Sequence, residues 1–264
     1  QVGGKCESFI RLLINNDKNG FATIRLFGVY SFIKNTNSLF AQKDLLPLIF
    51  SKSEKIKLQA WRGFLENAHL EYAEFKEIQK EFFNVLNAAI VNNDKNMIKS
   101  LTDLYIYSIY FDYHDYAIES LRKLERLENN IIAEQVLDTV RKIICKEPEI
   151  DKIWSWFGEY LQDRIYQVNH VLSQEEVGKI WYLLTDHPEV IFKIEKYLDT
   201  LMFVEQWGGF LNDVARNHAS VVDVHKGLWC KVLAFYLNQQ GDSVAGICYE
   251  EELQLFKKLI PSDK

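Results

Sequence analysis

Proline and glycine are scarce in this chain. Four prolines and 12 glycines among 264 residues leave few places where a helix has to stop. Proline lacks the amide hydrogen, and glycine is costly to hold in a helix. The scarcity favours an all-helical fold. Long apolar runs are missing as well. None reaches the roughly 18–20 residues that span a bilayer, so no membrane partner is expected. The opening QVGGKCESF has neither a basic n-region nor an apolar h-region, and does not read as a signal peptide. It also lacks methionine and reads as an internal cut, so the chain is expected to be one part of a longer protein. No Asn-x-Ser/Thr acceptor occurs. Cys6, Cys145, Cys230 and Cys248 are scattered, with no CxxC pair. Disulfide scaffolds are denser, so a cytoplasmic, reducing setting is expected.

The strong catalytic signatures are missing too. There is no HExxH, no GxxxxGK(S/T), no GxGxxG and no GxSxG, the motifs of zincins, nucleotide binders and hydrolases. Nor is there an excess of positive charge. A formal charge of −6 argues against a protein held mainly by nucleic-acid phosphates, which need clustered Lys and Arg. What remains is ordinary for a globular chain: 48% apolar and 26% charged residues, enough for one large or two small domains with a sizeable core.

Helical spacing dominates. Leu70, Phe75, Ile78, Phe82, Phe83, Leu86, Ala89 and Ile90 recur at steps of three and four, with Glu71, Glu74, Glu77, Lys80 and Glu81 mostly opposite. Ile132, Val136, Val140, Ile143 and Ile144 repeat the pattern, as do Ile118, Leu121, Leu124 and Leu127. Ser51 with Glu54, and Ser173 with Glu176, fit a capping box, in which the serine hydroxyl takes an orphan N–H and the glutamate reaches back. Pro47, Pro148 and Pro188 sit where a first helical turn tolerates proline. Short polar breaks fall at NNDKNG (15–20), NNDKN (92–96), LENN (127–130), KEPE (146–149) and NQQGDS (238–243). The one strand contender, DLYIYSIYFDY (103–113), also places Leu101, Leu104, Tyr105, Ser108 and Ile109 on a helical face, and a lone strand has nothing to pair with.

The expected architecture is all-α: an irregular α-solenoid or helical bundle of roughly a dozen helices, many as antiparallel pairs. No strict period supports a named repeat. A soft boundary at 146–149 divides the chain into 1–147 and 148–264, two halves of one continuous helical domain.

Few residues suggest chemistry. His218 and His225 share a helical face but lie two turns apart, about 10 Å, too far to bind one metal. Asp112, His114 and Asp115 place a histidine between carboxylates, the composition of a general base, though such a cluster also reads as a solvated loop. Tyr105, Tyr107, Tyr110, Tyr113 and Tyr116 step around their helix and cannot all enter one core, so some are candidates for a protein interface. Trp154, Trp156, Phe157, Tyr160 and Leu161 form an aromatic helix. Arg164 falls in the middle of that apolar stripe, where a buried guanidinium needs a carboxylate or several carbonyls. It reads as a structural clamp, with an anion site as the sharper alternative. In LQAWRGFLENAHL (58–70), Ala60 and Gly63 form a notch beside Trp61 and Phe64, where a neighbouring helix can come close.

The stretch LLPLIFSKSEKIKLQAWRGFL (45–65) resembles a helical domain that lies C-terminal to sirtuin-like domains in large bacterial anti-phage defence proteins. The matching positions are Leu46, Pro47, Leu48, Phe50, Ala60, Trp61, Gly63, Phe64 and Leu65. WFGEYLQDRI (156–165), LSQEEVGKIWYLL (172–184) and HPEVI (187–191) are similar to its second half. The pattern departs at Ile49 and in having Ser51 where an acidic cap is expected. The resemblance, over about residues 40–200, implies a non-catalytic scaffold or sensor. Such a domain recognises a phage component or a sister subunit, in an oligomer of the full-length protein, and is joined to an NAD-consuming effector. It assigns no catalytic, cofactor or metal residue to this chain. A generic α-solenoid adaptor, and a helical enzyme acting on nucleic acid or nucleotides around Asp112, His114 and Asp115, are the alternatives.

Overall fold

The structure, a computed structural model, describes residues 2–67, 72–112, 117–146, 150–166 and 172–186, together with 193, 223, 226–227, 229–232 and 234. Every regular element among them is helical, and the protein is an all-α helical bundle. The chain divides into two compact units, Gln1–Tyr116 and Ala117–Lys264. The division falls at 116/117 and not at the 146–149 break. The helices on either side of that break, described below, pack together and share one core. His187, Pro188, Pro148 and the 238–243 break lie outside the described residues, as do Leu70 and the side chain of Ile118.

The first unit runs α1 (Val2–Asn16), α2 (Phe21–Gly28), α3 (Tyr30–Thr36), α4 (Ser38–Phe40), α5 (Glu54–Asn67), α6 (Tyr72–Val91) and α7 (Lys95–Asp112). From α4 the backbone continues as a π turn over Ala41–Leu45 and a 3₁₀ turn over Leu46–Phe50, with Pro47 in its first turn. The strand contender at 103–113 is therefore helix through Asp112, and Leu101, Leu104, Tyr105, Ser108 and Ile109 are all buried along it.

The core of this unit is a chain of rings. Phe27 stacks on Tyr30 at 5.7 Å, and both meet Phe64 edge-on. Phe64 meets Trp61, Trp61 meets Phe82, and Phe82 stacks on Tyr105 at 5.3 Å. Edge-to-face and offset rings add about 0.5–1.5 kcal/mol per pair beyond the area they bury. The α2–α5 seam is the closest approach. A Cβ added to Gly63 would run into the Ile24 carbonyl oxygen and stand 2.9 Å from Phe27 Cβ. At the start of α2, Gly20 (φ +79°) leaves no room either, since a Cβ there would lie 2.6 Å from Gln59 Cγ. Two glycines thus let α2 lie directly on α5.

The helix starts differ from expectation at one point. The residue before α5 is Ser53, whose Oγ accepts the Ile56 N–H at 3.5 Å, while Ser51 Oγ accepts the N–H of Ser53. The Ser51–Glu54 box is replaced by a cap two residues later, because the chain turns once more after the 3₁₀ segment.

The string NNDKN occurs twice and folds in two ways. At 92–96, Asn93 takes a positive φ of 53° and Asp94 caps α7 by accepting the Met97 N–H. At 15–19, Asp17 reaches further, accepting the Thr23 N–H and hydroxyl, both at 2.8 Å, and the N–H groups of Gly20 and Phe21. Burial alone would raise the Asp17 carboxyl, but these bonds outweigh it and hold its pKa below the ordinary 3.8. A carboxylate depressed in the folded state stabilises above its unfolded pKa, and the contribution disappears as pH falls through the folded value. Asp17→Ala is expected to cost about 1–2 kcal/mol at neutral pH, as lost caps do. Urea melts across pH should show the difference shrinking below the ordinary value of 3.8.

The second unit holds α8 (Ala117–Glu125), α9 (Asn130–Ile144), α10 (Ile150–Tyr166) and α11 (Gln174–Asp186). Asn129 caps α9 by accepting the N–H groups of Ile131 and Ile132. Ile132, Val136, Val140, Ile143 and Ile144 are buried, as the spacing implies. α9 packs against α8, α10 and α11, and α8 packs against α10.

Candidate protein-interaction surface

The tyrosine series separates by burial. Tyr105 is 1% exposed. Its ring lies among Phe75, Phe82 and Phe83. It leaves the interface set and belongs to the core, because it shares the face of Leu101 and Ile109. Tyr107 and Tyr110 are half-buried, and burial with a nearby Asp103 pushes the Tyr107 hydroxyl up. Tyr113 and Tyr116 lie outside the described residues. So do His114, Asp115, His218, His225 and the side chain of Asp112, the sequence's candidates for metal or general-base chemistry.

Arg164 is 4% exposed. Its Nη2 donates to Glu176 Oε1 at 2.6 Å and its Nε to the same oxygen at 3.2 Å. Glu176 is also the third residue of α11 and closes its capping box. Its Oε2 accepts the Ser173 N–H at 3.0 Å, and its own N–H goes to Ser173 Oγ at 3.1 Å. One carboxylate therefore closes a helix start and neutralises a buried cation. Around it lie Tyr160, whose hydroxyl burial pushes up, and Glu125, raised by burial against the pull of Arg164. Every oxygen of Glu176 has a protein donor, so the geometry is that of a clamp between α10 and α11. Beside it, Trp156, Phe157, Tyr160 and Leu161 are buried, and Trp154 lies half-buried over Gly158. Arg122 and Asp163 pair at the exposed edge at 2.9 Å.

Trp61, Gly63 and Phe64 are buried in the first unit. They hold α5 to its neighbours.

A surface not anticipated from the sequence stands out instead. Among the described residues, eleven large apolar side chains are exposed, and eight of them fall between Phe9 and Phe50. Phe32 is 73% exposed, Phe21 72%, Leu39 61%, and Phe9 and Leu12 59% each. Phe9, Leu12 and Leu13 sit at helical spacing on one face of α1. No described residue of α1 is buried, and polar links hold the helix. Arg11 forks onto Asp44 at 2.8 and 3.0 Å and lies over the Phe40 ring, and Asn37 donates to Glu7. A signal for this was present: Phe9, Ile10, Leu12, Leu13 and Ile14 cover roughly half the circumference of α1, more than one packed face requires. The same region is basic, with six Lys or Arg against three Asp or Glu in residues 1–50, in a chain of net charge −6.

Among the described residues no three His, Cys, Asp or Glu side chains converge as a metal site, and no helix is long and apolar enough to cross a membrane. No family model, no curated protein and no solved structure matches the chain.

Proposed function

We propose that this chain is the non-catalytic recognition domain of a bacterial anti-phage defence protein, binding a phage or sister protein and thereby controlling an attached NAD-consuming effector. The observation that carries the reading is the run of exposed apolar side chains on residues 9–50. Single exposed hydrophobes need no explanation, but Phe9, Leu12 and Leu13 share one face of α1, and a contiguous apolar face marks a surface that another molecule covers. Aromatic side chains such as the exposed Phe9, Phe21 and Phe32 are enriched in protein interfaces relative to the rest of the surface.

The resemblance adds the biological setting. Of its nine matching positions, Leu46, Ala60, Trp61, Gly63 and Phe64 are buried, Leu48 and Leu65 half-buried, and Pro47 and Phe50 exposed, so the likeness lies mainly in the scaffold, and the function rests on what the scaffold displays. The reading is tested in infected bacteria that carry the protein in its native reading frame. Infection is expected to lower cellular NAD and restrict phage growth. With Phe9→Glu and Leu12→Glu together, NAD is expected to stay up and phage to grow. NAD loss and protection undiminished by that pair would count against it.

A further inference from the structure

The fold uses every carboxylate of residues 1–50 internally. Asp17 accepts from Thr23 and from the N–H groups of Gly20 and Phe21. Asp44 takes the Arg11 fork. Glu7 accepts from the Asn37 amide and stands 3.8 Å from Arg11. The cations of the same region are not matched in this way. Arg11 is paired, Lys34 is half-buried, and Lys43 stands beside Asp44. Lys5, Lys18 and Arg25 are exposed and form no ion pair among the described residues. The part of the fold that carries the apolar α1 face therefore shows free positive charge and no free carboxylate.

Two of these cations stand one helical turn from an exposed phenylalanine. Lys5 precedes Phe9 on α1, and Arg25 follows Phe21 on α2. Each pair is spaced i,i+4 and shares a face. Leu12, one further turn along α1, continues the line of Lys5 and Phe9. A molecule that covers these rings also takes water from the charged groups beside them. That loss is offset only where anionic groups replace the water.

We propose that the α1 face binds an acidic amphipathic helix of a partner protein, with its apolar stripe on Phe9, Leu12 and Leu13 and a flanking Glu or Asp on Lys5. Arg25 beside Phe21 extends the same charge preference to α2. A helix laid on a helix presents anchors at steps of three and four, the spacing of the three apolar side chains. Anionic lipid and nucleic acid are also negative, but both are held by clustered cations. Lipid recognition takes about 4–8 Lys or Arg together, and nucleic acid a basic stripe. Here the free cations stand singly among apolar side chains. Complementary charge speeds encounter with an acidic partner and turns away a basic one. The proposal rests on the reading of this face as a recognition surface and adds the chemistry of what it recognises.

The test titrates the full chain into a fluorescein-labelled Leu/Glu amphipathic peptide of about 14 residues, roughly four turns. Leu/Lys and Ser/Glu peptides of the same length are the counterparts. Fluorescence anisotropy is expected to show binding of the Leu/Glu peptide alone, weakening as salt rises from about 0.05 to 0.3 M. Lys5→Glu should weaken it several-fold, and Phe9→Glu with Leu12→Glu at least about tenfold. Lys146→Glu makes the same change of charge at an exposed position of the second unit and should leave binding unchanged. Circular dichroism checks that each variant folds. No binding of the Leu/Glu peptide, or equal losses in Lys5→Glu and Lys146→Glu, overturns the proposal. Binding to phosphatidylglycerol vesicles without binding to the peptide overturns it in favour of a lipid surface. Equal binding of the Leu/Lys and Leu/Glu peptides, both lost with Phe9→Glu and Leu12→Glu, overturns the acidic partner but leaves the apolar face as a recognition surface. The NAD readout in infected cells judges that reading separately.

Discussion

Gly63→Leu is expected to destabilise the first unit by about 3 kcal/mol or more, at the upper end of overpacking costs. The added side chain meets backbone, not a flexible neighbour. A Cβ at Gly63 already collides with the Ile24 carbonyl and stands 2.9 Å from Phe27 Cβ, so α2 has to move off α5 and the Phe27–Tyr30–Phe64 cluster opens with it. The corresponding fall in melting temperature is roughly 6–12 °C for a chain of this size. Gly63→Ala separates the causes. Alanine gains about 1 kcal/mol of helix propensity over glycine, yet its methyl occupies the colliding position, so the net effect is expected to remain a loss. Gly178→Ala supplies the opposite sign. Gly178 lies inside α11 with nothing within 4 Å of an added Cβ, and that variant should gain up to about 1 kcal/mol. A stable Gly63→Leu variant would remove the close approach from the description.

Glu176→Gln is expected to cost about 3–5 kcal/mol, the penalty for leaving a buried charge without its partner. Glutamine can still serve the capping box, so the loss isolates the ion pair with Arg164 from the cap. Arg164→Met should cost a similar amount, since it strands the Glu176 carboxylate at 2% exposure. The double variant should be far more stable than the sum of the two, because a buried pair exchanged for neutral side chains is often close to neutral. Denaturant melts of all four proteins measure the coupling. Additive losses would mean that the two side chains do not act as a unit.

Helix placement was legible because it depends on local spacing. The faces of α6, α7 and α9 follow from periods of three and four, and the aromatic run resolves as a helix through Asp112 because the same period continues from Leu101. Arg164 in an apolar stripe announced a buried partner, either a carboxylate or several carbonyls, and Ser173 with Glu176 announced a cap. That one glutamate does both was not legible, since the residues lie on different helices 12 positions apart. Tyr105 read as an interface candidate because five tyrosines at steps of two and three look alike until the axis of packing is known, and that axis is set by α6. The shift from Ser51 to Ser53 arose from a 3₁₀ turn that carries no period of its own. The exposed face of α1 had a local signal, an apolar run too wide for one face.

The most direct measurement of the proposed role is capture. The full immobilised chain is incubated with purified phage structural proteins, beside the Phe9→Glu and Leu12→Glu double variant checked for an unchanged helical spectrum. Retention of one such protein by the wild type, lost in the variant, is the expected result. Retention of none, or retention that ignores the exchange of both exposed side chains, would contradict recognition through this face.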